Sequence, residues 1–149
     1  MSGLLLYEVV GVTLVGVGLL TIGTVFMVKG LSTKAMVSAA LLEENASTGP
    51  PSEDGTEIQV VDAKTAKVRA DQIKAHTLGR LGPFQALVRA DDQENAGFFL
   101  QGLTIRTALN LAIASFGVAD MAVGGGVGFM LAGTGTLALG LPLLFWLAP

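Results

Sequence analysis

Two long apolar runs on either side of a charged middle constrain this chain more than any motif in it. Residues 9–28 form a stretch of 20 without a charge, and residues 107–149 are 43 whose only charge is Asp120. A hydrocarbon core about 30 Å thick is crossed by about 20 helical residues rising roughly 1.5 Å each. The first run therefore predicts one crossing, and the second has the length for two. The expected fold is an all-α integral membrane protein with about three transmembrane helices, one N-terminal and two in a C-terminal hairpin, joined by a helical cytoplasmic segment. By residue number the expected segments are 1–29 for the first helix, 30–97 for the cytoplasmic part and 98–149 for the hairpin.

Composition narrows the chemistry. Hydrophobic residues make up 51% of the 149 and charged residues 14%, about half the charged share of a soluble domain. There is no cysteine, which removes disulfides, thiolate metal sites, iron-sulfur ligation and cysteine nucleophiles. His76 is the only histidine and has no second nitrogen ligand at helical spacing, so it reads as a solvated helix residue rather than a metal ligand or general base. A phosphate-cradling loop needs a strand, a lysine and a helix start outside the membrane, and no such combination occurs. No catalytic residue, metal or cofactor is expected, and nucleic acid is not an expected partner.

Charge asymmetry sets the expected orientation. All nine lysines and arginines lie between Lys29 and Arg106. Basic residues near membrane ends stay inside, so Lys29, Lys34 and Arg106 place the middle segment in the cytoplasm of a cell membrane and the N-terminus outside. The start lacks the basic region and short apolar core of a cleaved signal, so the first helix is expected to be an uncleaved anchor.

The second run divides best at Gly124, Gly125 and Gly126, which supply the positive φ angles a tight reversal needs. Tyr7 and Trp146 would then fall at opposite membrane boundaries. The competing topology keeps these glycines inside one long helix and tucks the tail in as a re-entrant or interfacial segment.

In the middle segment, Gly30 permits a bend and Ser32 is a fair cap for a helix over residues 33–44. Residues 45–56 have every loop-forming side chain and read as a flexible linker, with an unused sequon at Asn45. Residues 56–61 alternate weakly, as a short strand would. A second helix is expected from the cap Asp62 to Gly79, with Ala63, Ala66, Ala70, Ile73 and Thr77 on one narrow face suited to close packing. Asp91 and Asp92 resemble the negative start of the helix that enters the membrane.

Polar groups at bilayer depth cost free energy and seldom lack a role. Arg106 is expected as an interface anchor and Asn110 as a hydrogen-bonding group one turn further on. Glu8 and Asp120 are expected at similar depth near the outer surface, where two acids would share a proton or bind a cation. Gly11, Gly16, Gly18, Gly23, Gly124, Gly128, Gly133 and Gly140 recur at helix-face spacing and are the expected helix-packing positions, within one subunit or between subunits. The function these features favour is a non-catalytic accessory or scaffold subunit, partnered by the lipid bilayer and by other membrane subunits or itself. The alternative is an oligomeric proton or cation path using Glu8 and Asp120.

Overall fold

The computed structural model describes residues 3–44, 46–47 and 58–147. They are almost entirely helical: α1 spans Gly3–Glu43, α2 Ala63–Leu81, α3 Phe84–Arg89 and α4 Gln93–Gly135. A π-helical turn over Thr136–Gly140 then leads into α5, Leu141–Leu147. No strand occurs among the described residues; the weak alternation at 56–61 is reduced to one antiparallel bridge between Ser47 and Gln59. Apart from Ala46 and Ser47, the expected linker near 45–56, with Asn45, lies outside the described residues.

Local chemistry explains the element ends. Asp62 caps α2 by accepting from the Thr65 N–H at 2.7 Å, while the Asp62 N–H donates to Thr65 Oγ1 at 3.2 Å. The helix runs past Gly79 and stops at Gly82, whose φ of 72° lies in the left-handed region and whose N–H donates to the Leu78 carbonyl. Asp92 accepts from the Asn95 N–H at 3.3 Å and from its Nδ2 at 2.7 Å, satisfying the start of α4. At the far end, Pro142 lacks an N–H and crowds the carbonyl four residues back, and the wider π turn just before it accommodates both.

The bend that Gly30 permits is not used, and the reversal expected at residues 124–126 is absent. α1 passes through Gly30 and Ser32 without a bend residue, and α4 passes through residues 124–126 without reversing. Two helical stretches, Leu6–Glu43 and Gln93–Trp146, are long and apolar enough to cross a membrane. Only 11% and 6% of their most apolar windows are buried, whereas the core helix of a soluble protein hides its apolar face.

The chain divides into two compact units, one of residues 1–32 with 118–149 and the other of residues 33–117. In the second unit the small face of α2 is covered: Ala66 and Ala70 are buried with Val60 and Leu109, against Leu41, Ile73 and Ile113. The Phe84 and Phe99 rings of the same unit meet in a tilted arrangement, their centroids 5.4 Å apart. The unit boundary at 117 therefore lies about two turns beyond Leu109, later than the boundary at 97 that hydropathy suggested, because that stretch of α4 spends its apolar side chains on α2.

Candidate helix-packing seam and polar sites

In the first unit α1 and α4 run antiparallel along a seam of small residues. A methyl group built on Gly23 would lie 2.6 Å from the Gly126 carbonyl oxygen, and one on Gly126 would lie 2.7 Å from the Gly23 carbonyl oxygen. Gly16 and Gly133 repeat the arrangement, with a Gly133 methyl 2.8 Å from the Gly16 carbonyl oxygen. A Gly30 methyl would lie 2.7 Å from the Ala119 carbonyl oxygen. The contacts thus pair Gly16, Gly23 and Gly30 with Gly133, Gly126 and Ala119 in steps of seven, close to two helical turns on each side. Only glycine lets two backbones approach this closely. Gly140 extends the series against Val12, and Phe26 packs on Phe129 at 6.0 Å.

Of the eight glycines singled out in the sequence, Gly16, Gly23, Gly133 and Gly140 line this seam. A methyl group on Gly11, Gly18, Gly124 or Gly128 would meet nothing within 4 Å. Gly30, Ala119 and Gly126 complete the seam and were not among the eight. Their signal was present: small residues at 16, 23 and 30, and at 119, 126, 133 and 140, each seven apart.

The seam register separates the two acids. Glu8 lies four residues beyond Val12, at the end of the unit where Gly140 packs, whereas Asp120 follows Ala119 at the opposite end. About 20 helical residues, roughly 30 Å, stand between the two levels. The expected shared acid site is therefore not formed within the chain, because α4 does not turn at 124–126. Both acids are exposed, and Asp120 already takes part in a polar or electrostatic interaction. Tyr7 and Trp146, 78% and 81% exposed, fall at one end of the unit together with Glu8 rather than at opposite ends.

Arg106 and Asn110 belong to the second unit. Arg106 is half-buried and lines a small crevice with Thr77 and Leu78 of α2, while Asn110 is exposed one turn further along α4. The same pair of helices frames a larger cleft of about 780 Å³. α2 contributes Arg69, His76 and Arg80, and α4 contributes Glu94, Phe98 and Ile105. Gly102 sets the approach of its walls, since a methyl group there would lie 2.9 Å from Thr77 Oγ1. No local sequence pattern joins the basic residues near the end of α2 to α4. No group of three or more His, Asp or Glu side chains placed to hold a metal occurs among the described residues.

The chain matches no protein-family model, and neither a curated protein nor a solved structure matches it.

Proposed function

We propose that this chain is a non-catalytic, multi-pass membrane protein that serves as an accessory or scaffold subunit of a larger membrane assembly or of an oligomer of itself. The observation that carries the reading is the banding of the first unit. Tyr7, Glu8 and Trp146 mark one end, and Lys29 and Asp120 mark the other. The 20 residues of α1 and the 25 residues from α4 into α5 between them carry no charge and are long enough to cross a hydrocarbon core of about 30 Å. Large side chains such as Leu14, Met121, Leu131 and Leu139 stand exposed there. The hydroxyls of Thr13, Thr21, Thr24 and Thr134 each donate to the carbonyl four residues back, which satisfies them without water.

On this reading the chain crosses a cell membrane twice rather than three times. The basic residues 29–106 face the cytoplasm, and Tyr7 and Trp146 lie at the outer boundary. The seam occupies one stripe of each helix and leaves Gly11, Gly18, Gly124 and Gly128 facing outward, where another helix can approach closely. The separation of Glu8 from Asp120 along the seam supports this reading over a proton or cation path that uses both acids.

Gentle solubilisation of the native membrane followed by mass measurement tests the proposal. Foreign subunits or a defined oligomer should co-purify, and Gly11→Leu combined with Gly128→Leu should release them while leaving the chain folded. A wild-type monomer of about 15 kDa without companions contradicts the scaffold reading.

A further inference from the structure

We infer that the cleft between α2 and the first turns of α4 is the seat of an acidic amphipathic helix from a partner protein. The inference rests on the scaffold reading above and deepens it by giving the scaffold a partner of stated chemistry. Arg69, His76 and Arg80 all line the cleft, at intervals of seven and four residues along α2. Residues 11 apart are three helical turns apart and share a face, so the backbones of the two arginines stand about 16 Å from each other along one wall. That spread suits an elongated ligand laid along the cleft rather than one small anion. Among the described residues neither guanidinium has an ion-pair partner.

The opposite wall is apolar. Phe98 and Ile105, two turns apart on α4, are 58% and 46% exposed. Gly102 and Thr77 lie between the two rows, and their small size leaves a slot of about 780 Å³ between two packed helices, the position that a further helix takes in a bundle. The chemistry of the rows fixes the face of the occupant. Its apolar stripe covers Phe98 and Ile105, and carboxylates three turns apart on the flank of that stripe meet Arg69 and Arg80. Glu94, the only acid lining the cleft, belongs to the α4 wall, so the carboxylates of the occupant are held to the α2 side. A second copy of the chain does not supply such a helix. α1 carries Glu8 and Glu43, α2 carries Asp71, and α4 carries Glu94 and Asp120, with no two of them 11 residues apart in one helix.

Fluorescence anisotropy of a labelled synthetic peptide, titrated with the whole chain in neutral detergent, reads this directly. The peptide is a helix of about five turns, leucine-lined on one face, with two glutamates three turns apart on the flank of that face. Wild type should bind it roughly tenfold more tightly than the same peptide with glutamine at both positions. Moving both glutamates to the far face, which keeps the charge, should lose the same advantage. Arg69→Gln with Arg80→Gln should abolish the difference between the peptides at unchanged helicity. Lys64→Gln with Lys67→Gln, which removes two cations of the same helix outside the cleft, should preserve it. Phe98→Ser with Ile105→Ser should weaken both peptides alike. Equal binding of the glutamate and glutamine peptides by wild type overturns the inference, as does equal loss in the lysine variant. Release of the peptide as the chain self-associates would make the occupant a second copy and overturn it too. Absence of peptide binding refutes the cleft alone, whereas a wild-type chain recovered from native membranes without companions refutes the scaffold reading itself.

Discussion

At the scale of single residues, Asp62 shows how far local chemistry carries. The Thr65 N–H, followed by the Thr65 hydroxyl, holds the Asp62 carboxyl below the usual carboxylate range. A lowered folded pKa means that the cap adds stability above the unfolded value of about 3.8, and that this contribution disappears as pH falls through the lowered folded value. Asp62→Ala should weaken α2 by about 0.5–2 kcal/mol, and Asp62→Asn by less. Amide hydrogen exchange in the first turn of α2 at neutral pH checks this, and unchanged exchange in Asp62→Ala would contradict it. This cap was legible in the sequence because all its partners lie within three residues. The other end of α2 was not, because Gly79 and Gly82 both qualify as stops. The helix uses Gly82, the glycine that adopts the left-handed angle directly before Pro83.

Among elements, the glycine seam explains why the apolar runs were legible as helices while their topology was not. Length and hydropathy announce a long apolar helix, but glycine permits a reversal and a close backbone contact equally well. Residues 124–126 satisfy the requirements of a turn, and only the position of Gly23 across from Gly126 decides for a contact. The two kinds of glycine should respond oppositely to alanine. Gly23→Ala forces a methyl onto the Gly126 carbonyl and the Met130 backbone nitrogen, neither of which yields cheaply, and should destabilise by about 1–3 kcal/mol. Gly124→Ala meets open space and should gain up to about 1 kcal/mol of helix propensity. Unfolding of the isolated chain in mixed micelles measures both, and losses of equal size at the two positions would show that the seam is not the contact.

For the whole molecule, hydropathy located the long apolar helices and left open what each part of them packs against. Residues 107–117 are as free of charge as the rest of the second run, yet Leu109 and Ile113 pack on Ala66, Ala70 and Leu41 in the second unit. An apolar side chain facing another helix and one facing lipid look alike in a sequence, so hydropathy alone does not tell which part of the run packs on α2, nor that α4 continues through residues 124–126 where a reversal was expected. The cleft escaped for a related reason, since its arginines and its apolar wall come from helices whose pairing no local pattern encodes. The continuity of α4 through residues 124–126 is most directly tested by a distance. The chain has no cysteine, so Val118→Cys with Leu131→Cys gives one spin-label pair at two exposed positions within the first unit. Thirteen residues of uninterrupted helix put the two backbones about 20 Å apart, and pulsed electron resonance in a bilayer should report a single distribution near that separation. A reversal at 124–126 would instead bring them to the packing distance of neighbouring helices, about 8–10 Å, and would overturn both the seam and the continuous α4.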